Sequence, residues 1–224
     1  MPGTFLPALQ AAAPRGGVSA SVAMTTSEIH SRLKAATAEI HARLEQQLDL
    51  LRDDLTLRDY VGLLERFYGV YEPFERMADP MLKRLPGIEF ERRKKTELLA
   101  ADLIHLGVSP EGLALLPRLS FAVPERPEQL LGWLYVLEGS TLGGQILARH
   151  FGTRFPLSAQ CGLRFFTAYG EETATMWRQF LEVLAIYSQT DAAARLMVDA
   201  AVSMFARLLD WFVAGSYSLD LSAA

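Results

Sequence analysis

Cysteine is nearly absent from this chain, which contains one residue of this type, Cys161. One thiol cannot form a disulfide within the chain, and it cannot supply the several thiolates of a cysteine-type zinc site or an iron–sulfur cluster. A chain without disulfides is typical of a reducing compartment, so we expect the protein in the cytoplasm.

Asparagine is missing altogether, and valine and isoleucine together number 17, against 36 leucines and 29 alanines. Without asparagine there are no Asn-Gly hairpin turns, and the leucine and alanine content favours helix. No run of 18 apolar residues occurs, so we expect no membrane-spanning helix. A formal net charge of −4 does not favour nucleic-acid binding. The composition predicts one all-α domain that buries its core without a metal or disulfide.

The first 24 residues differ in composition from the rest of the chain. Residues 1–23 contain six alanines, three glycines and three prolines, and their one arginine follows the apolar stretch instead of preceding it as in a secretory signal. We interpret residues 1–24 as a disordered tail or as a start codon assigned too early. A multi-helical single domain is expected over residues 25–215, with a short tail over residues 216–224.

Hydrophobic spacing predicts helices throughout residues 25–215. Capping boxes at Thr25-x-x-Glu28 and Thr56-x-x-Asp59 mark the first two helix starts. The third predicted helix ends before Gly107, which is expected to take the left-handed conformation of a helix cap. In chain order the predicted helices span about residues 25–51, 56–80, 90–106, 127–150, 162–188 and 191–214, with a short turn at 110–116.

Four consecutive basic residues, Arg92-Arg93-Lys94-Lys95, lie in the third predicted helix close to several glutamates. The nearby carboxylates favour a solvated helix face with local ion pairs. A docking patch for an acidic protein is the alternative, and the sequence does not separate the two.

Three glycines lie inside the predicted helix over residues 127–150. Gly139, Gly143 and Gly144 each cost about 0.5–1 kcal/mol relative to alanine in a helix interior. Gly139 and Gly143 share a face, and Gly132 lies two turns earlier on nearly the same side. A stripe without Cβ atoms suits either close helix packing or a flat ligand lying against the backbone, and the spacing leaves both open.

His41 lies at the edge of the apolar stripe of the first predicted helix. Most histidines in such positions are surface or core residues. A neutral imidazole also binds iron through one nitrogen while a carboxylate orients the other, and Glu45 lies one turn away. Lys34 lies about 10 Å from His41 along the helix axis, where its cation can meet carboxylates at the rim of a large planar ligand.

These segments resemble the haem oxygenase family. Residues 33–45 match its proximal-helix pattern Leu-Lys-x-Ala-Thr-x-x-x-His-x-x-x-Glu, and residues 139–145, Gly-Ser-Thr-Leu-Gly-Gly-Gln, match its glycine-rich distal helix. Residues 162–167 match the family's Gly-Leu-x-Phe-Phe-Thr turn, and order and spacing agree from about residue 25 to 212. Residues 135–145 are most similar to the bacterial branch that supplies biliverdin to phytochrome photoreceptors.

The resemblance implies a role for each matching residue. His41 corresponds to the proximal iron ligand and Glu45 to the carboxylate near it, while Lys34 and Arg178 correspond to propionate-binding cations. The distal residues implied in catalysis are Gly139, Ser140 and Gly143. Further positions expected to contact the cofactor are Thr37, Tyr135, Gly144 and Phe205. Phe205 and Phe212 match aromatic positions that wall the pocket, and plain core packing is the alternative for both.

Two positions depart from the family pattern. Ser140 stands where several members carry an aspartate that supports the distal water network, and a serine hydroxyl donates and accepts hydrogen bonds without holding a negative charge. Glu182 stands where some members carry an arginine near the propionates. The departures leave open the activity and the choice of the meso carbon that is attacked.

The resemblance therefore implies an all-α, haem-degrading monooxygenase in which haem is both substrate and cofactor. Its expected products are biliverdin, carbon monoxide and ferrous iron, its expected electron donor is a ferredoxin or a flavoprotein reductase, and a bacteriophytochrome is the implied recipient of the bilin. A non-catalytic haem-binding or storage protein on the same fold is the first alternative. A thiaminase-like enzyme with Cys161 as nucleophile is the second.

Overall fold

The computed structural model describes residues 24–214, and the regular elements among them are all helical. This confirms the all-α prediction, while the predicted tails, apart from Met24, lie outside the described residues. Within the same range no helix is long and apolar enough to cross a membrane. The α-helices are α1 (Thr26–Leu48), α2 (Leu57–Leu82), α3 (Phe90–Arg93), α4 (Thr96–His105), α5 (Pro110–Leu115), α6 (Pro127–Arg154), α7 (Thr173–Tyr187) and α8 (Asp191–Ala214), and a 3-10 turn at Gly170–Glu172 precedes α7.

Both predicted capping boxes are confirmed. The Thr25 hydroxyl accepts a hydrogen bond from the backbone N–H of Glu28 at 3.2 Å, and the Glu28 carboxylate accepts one from the Thr25 N–H at 2.8 Å. The same reciprocal pair at Thr56 and Asp59 starts α2. These side chains satisfy backbone donors that a helix start leaves unpaired, which is why the local pattern locates the start so well.

Helix ends agree less closely with the predictions. α1 stops at Leu48, because Asp49 takes a left-handed conformation with φ of 37°, so Leu51 lies outside the helix and is 53% exposed. α2 continues past Pro80, and α6 extends four residues beyond the predicted end at residue 150. Gly107, with φ of 95° after α4, confirms the predicted left-handed cap.

The third predicted helix is two helices, α3 and α4, so its continuity is wrong. Lys94 at their junction has extended backbone angles, φ −65° and ψ 140°. The Glu75 carboxylate of α2 accepts hydrogen bonds from the backbone N–H groups of Lys95 and Thr96. A side chain from another helix thus pairs the first donors of α4, and periodicity along α3 and α4 carries no sign of it.

The helix predicted over residues 162–188 begins only at Thr173. Gly162 has φ of 84°, a left-handed conformation that favours glycine, and the chain then forms a turn. Asp102, fully buried on α4, accepts hydrogen bonds from two successive backbone N–H groups of this turn, the second being that of Phe165 at 2.9 Å. Tertiary hydrogen bonds therefore replace helix over the first residues of this segment.

The helices α1 and α6, which carry the candidate site, both pack on α8 and α7. At the contact of α6 with α8, a Cβ atom added to Gly132 would overlap the carbonyl oxygen of Met197 and lie 2.8 Å from the Cβ of Ala200. Of the two interpretations left open for the glycine stripe of α6, Gly132 therefore follows close helix packing. This close backbone contact fixes α6 on α8, against which α1 also packs.

Candidate functional site

His41 lies on the exposed side of α1, and its side chain is 53% exposed. Its ring packs against that of Phe205 of α8 with 5.2 Å between centroids, and Nε2 is 3.4 Å from the Glu45 carboxylate. Phe212, the other predicted wall residue, packs instead against Phe67 of α2 at 5.1 Å. An imidazole oriented by a carboxylate and an aromatic ring, and open on its remaining side, can give one nitrogen to a metal.

The glycines of the distal part of α6 fall into two sets. An added Cβ at Gly143 meets nothing within 4 Å, and at Gly139 it meets only the indole of Trp177, at 3.8 Å. At Gly144 it would lie 2.7 Å from the carbonyl oxygen of Phe166. Gly144, predicted to contact the cofactor, packs closely against the backbone of Phe166, whereas the first two leave bare backbone on an open face.

The open face of α6 is also apolar. Leu142 is 45% exposed and Ile146 is 61% exposed, and helical spacing places Ile146 beside Gly139 and Gly143. Bare backbone flanked by exposed aliphatic side chains makes a surface suited to a flat, apolar ligand.

Direct contact between α1 and α6 centres on Tyr135 of α6. The buried Tyr135 ring lies 6.4 Å from His30 of α1 and 5.6 Å from Trp177 of α7, and those two rings are 5.8 Å apart. Burial raises the pKa of Tyr135, and the Thr37 hydroxyl acts in the opposite direction. Burial and then the charge of Lys34 lower the pKa of His30. The structure therefore brings predicted residues Thr37, Tyr135 and Lys34 to one end of the site, and it adds His30 and Trp177, which sequence reasoning missed.

The predicted cations Lys34 and Arg178 are both exposed, on α1 and α7 respectively. Arg178 donates a hydrogen bond to the hydroxyl of Thr175 at 3.2 Å and directly follows Trp177, which contacts the Gly139 face. Glu182 is exposed one turn further along α7. The charge of Lys34 therefore acts on His30, Arg178 is the neighbour of Trp177 in sequence, and Glu182 adds a negative charge to α7.

Ser140 lies beside the open face and belongs to a hydrogen-bonded group with α2. Its hydroxyl donates to the carbonyl oxygen of Leu137 at 2.8 Å and lies 3.2 Å from the Tyr71 hydroxyl, which donates to the same carbonyl at 3.1 Å. Burial raises the pKa of Tyr71, so its hydroxyl stays protonated at neutral pH. A cavity of about 40 Å³ adjoins this group, which is room for one or a few waters. The cavity is lined by Phe67, Ser140, Thr141, Gly144, Leu147, Phe165 and Phe166.

Behind the Gly139 face lies a buried cluster of charges that sequence reasoning missed. The Glu138 carboxylate, 3% exposed, accepts hydrogen bonds from the guanidinium of Arg93 and from the hydroxyl of Tyr169 at 2.8 Å. Lys95 Nζ lies 3.8 Å from that carboxylate and 3.9 Å from the centre of the Tyr169 ring. Burial lowers the pKa of Lys95 to about 8, against the opposing effect of the Glu138 charge.

The basic run over residues 92–95 thus alternates between solvent and core. Arg92 and Lys94 form the predicted pairs with neighbouring glutamates, at 3.1 and 3.0 Å. Arg93 and Lys95 are 2% and 1% exposed, so the predicted solvated face is wrong for them. The extended backbone at Lys94 turns alternate side chains to opposite sides, as in a strand.

A histidine on one helix and a bare glycine face on another are features expected of a helical protein that binds a flat, metal-centred ligand. The family model for Heme oxygenase matches residues 27–214. A heme oxygenase of Xanthomonas campestris pv. campestris (strain 8004) is 33% identical over 147 residues, which are 66% of this chain and 84% of that protein. The chain belongs to the haem oxygenase family, whose members are oxidative haem-degrading enzymes, and this sets aside the thiaminase-like alternative built on Cys161.

Solved structures of three haem oxygenases share the fold, each with a TM-score of 0.69. The NO- and CO-bound heme oxygenase of Neisseria meningitidis is 23% identical and covers 86% of this chain and 94% of its own. The Leptospira interrogans heme oxygenase is 20% identical, covering 82% and 98%. Heme oxygenase-1 of Synechocystis sp. PCC6803, solved in complex with heme, is 20% identical, covering 83% and 91%. At these identities the likeness concerns the fold.

Proposed function

We propose that this protein cleaves haem with O₂ to biliverdin, carbon monoxide and ferrous iron, and that His41 would hold the haem iron. The observation that carries the proposal is the combination of an exposed imidazole on α1 with open backbone at Gly139 and Gly143 of α6. Helices α1 and α6 are held by the same two neighbours. Bare backbone lets a flat ring lie close to α6 and leaves room beside it for a small molecule.

The residues present fit haem. His41 would ligate the iron, with Glu45 orienting its imidazole, and Lys34 and Arg178 would bind the propionates. Haem supplies the iron that activates O₂ and is itself the molecule that is cleaved. The chain would contribute an imidazole nitrogen from His41, the cations of Lys34 and Arg178, and a flat apolar wall on α6.

Ser140 is proposed to hold and pass protons on the distal side through water. Its hydroxyl donates and accepts, and the protonated Tyr71 hydroxyl lies 3.2 Å from it. A serine side chain is shorter than an aspartate, so bridging waters are needed for it to take the role of the aspartate. The adjoining cavity has room for such waters. Serine at this position therefore supports activity without a fixed negative charge.

Hemin titration followed by reduction in air tests the proposed reaction. We expect a haem absorption band to form, and then to bleach as biliverdin absorption appears. A haem band that persists under turnover conditions would contradict the reaction and favour the haem-binding or storage alternative, for which the missing distal carboxylate is the supporting observation. A protein that binds no hemin would contradict both.

Replacement of the proposed ligand separates axial binding from non-specific haem adsorption. His41→Ala should lose the spectrum of histidine-ligated haem, and added imidazole should restore it, because the deleted side chain leaves room for the free base. His105→Ala removes another exposed histidine, on α4, and should behave as wild type. An unchanged haem spectrum in His41→Ala would show that another residue is the ligand.

We further propose a ferredoxin or flavoprotein reductase as electron donor, and a bacteriophytochrome as recipient of the bilin. The first follows because reductive O₂ activation consumes electrons that the chain itself does not supply. The second is supported by the similarity of residues 135–145 to the phytochrome-associated branch. Coexpression with a bacteriophytochrome apoprotein should yield a red-absorbing photoreceptor. A colourless photoreceptor beside active haem cleavage would contradict this recipient alone.

A further inference from the structure

The part of α6 that faces the site is intrinsically weak as a helix. Glycines make up three of residues 139–144, and each loses more backbone entropy on folding than alanine does. The hydroxyls of Ser140 and Thr141 donate to the carbonyl oxygens of Leu137 and Glu138, at 2.8 and 2.7 Å. Such back-bonding competes with the helix's own hydrogen bonds and bends helices. The position of this segment must therefore be fixed from outside.

Glu138 precedes the weak segment and is anchored through both carboxylate oxygens. Tyr169 donates to one oxygen at 2.8 Å and lies 3.0 Å from the other, to which Arg93 also donates. Lys95 Nζ lies 3.8 Å from the carboxylate. Charge-assisted hydrogen bonds of this kind are directional and about twice as strong as neutral ones. The side chain of Glu138 thus fixes the rotation of α6 about its axis, and its position along that axis, just before Gly139.

Arg93 connects this anchor to α7. Its Nε donates to the carbonyl oxygen of Ile88 at 2.7 Å, and both terminal nitrogens reach the carbonyl oxygen of Met176 at 3.3 Å. Met176 is followed by Trp177, whose indole faces Gly139. One buried guanidinium therefore holds α6 and the neighbouring wall of the site in a fixed relation.

We propose that Glu138 and Arg93 are positioning residues that hold the Gly139–Gly143 face of α6 at a set distance from Trp177 of α7. The proposal rests on the function proposed above, since the gap they set is the place expected for haem. Well-packed apolar residues often stabilise a fold as well as a buried ion pair does. Beyond stability, the pair supplies directional hydrogen bonds that fix the position of a segment with weak helix propensity.

Amide hydrogen exchange on the ligand-free protein tests the proposal by mass spectrometry. In Glu138→Gln we expect exchange over residues 139–144 to be about tenfold faster than in wild type, with little change in α2 and α8. Glu128→Gln is the matched control, because Glu128 is a buried carboxylate of the same helix paired with Arg126 at 2.9 Å. It should leave residues 139–144 unchanged. Wild-type exchange there in Glu138→Gln, or an equal rise in every helix, would overturn the proposal.

A double variant, Arg93→Met with Glu138→Met, separates positioning from stability. It removes both charges of the pair, and at pH 9 the buried Lys95, whose pKa is lowered to about 8 even beside Glu138, is largely uncharged, so at that pH we expect a thermal midpoint near that of wild type. Exchange over residues 139–144 should nevertheless stay about tenfold faster, and the hemin complex should show a broadened haem band. Recovery of wild-type exchange in the double variant would overturn the proposal. Because exchange is measured without haem, a wild-type protein that binds no hemin would refute only the proposed function.

Discussion

Alanine substitution should have opposite effects at two glycines of α6. At Gly143 the added methyl meets nothing within 4 Å, so Gly143→Ala exchanges a poor helix former for the best one without a clash. The free energy of unfolding should rise by about 0.5–1 kcal/mol. In a chain of this size, that raises the thermal midpoint by about 1–4 °C.

At Gly132 the same methyl would overlap the carbonyl oxygen of Met197 and lie 2.8 Å from the Cβ of Ala200. Both atoms belong to the backbone or its first side-chain carbon in α8, so no flexible side chain can move aside. The two helices must separate, and overpacking of this kind costs about 1–3 kcal/mol. The gain in helix propensity offsets part of that cost, and Gly132→Ala should remain a net loss of stability.

Urea unfolding followed by circular dichroism gives the stability of each ligand-free variant, and hemin titration gives its affinity. Gly143→Ala should be more stable than wild type and yet bind hemin about tenfold more weakly, because its methyl occupies the proposed haem face. Wild-type hemin affinity in Gly143→Ala would refute the assignment of that face. A Gly132→Ala protein as stable as wild type would refute the close contact of α6 with α8.

Four further variants probe other parts of the molecule. Relative to Lys95→Met, wild type should gain about 2 kcal/mol of unfolding free energy between pH 7 and 9.5, because the folded protein, with its lowered Lys95 pKa of about 8, releases the proton before the unfolded chain does. A constant difference in urea unfolding at the two pH values would contradict this. Asp102→Asn should lower the free energy of unfolding by about 1–3 kcal/mol, because the NH₂ group of the new amide would face a backbone N–H that now donates to the carboxylate. An unchanged urea midpoint would contradict that. Lys34→Ala and Arg178→Ala should each weaken hemin binding about two- to fivefold in titration, as exposed ion pairs do, and unchanged affinity in both would place the propionates elsewhere.

The buried charges around Glu138 show why local composition alone gives the wrong environment for part of the basic run. Four successive cations beside glutamates have the composition of a solvated face, and Arg92 and Lys94 behave as such. The partner of Arg93 lies 45 residues later in the chain. One sequence feature indicates this partner: Glu138 is an acidic residue directly after the apolar stretch Leu134–Leu137, which is buried, and a buried carboxylate needs a cation beside it.

The sequence by itself determined the helical class, the capped starts of α1 and α2, the left-handed Gly107, and the motifs that place the chain in its family. Each of these depends on residues within about one turn of each other, or on a short pattern matched as a whole. His41 with Glu45 belongs here too, since i, i+4 spacing puts both on one side of α1 wherever the helix lies.

The tertiary structure alone decided which glycines pack and which stay open, which cations are buried, and where α3 and α7 stop and start. Gly139, Gly143 and Gly144 are the same residue type in one helix, and they differ only in what α7 and the turn at Phe166 bring to them. Burial and hydrogen-bond partners depend on segments distant in the chain. Helical periodicity predicts which face of a helix a residue occupies, but it does not predict which atoms of other segments contact that residue.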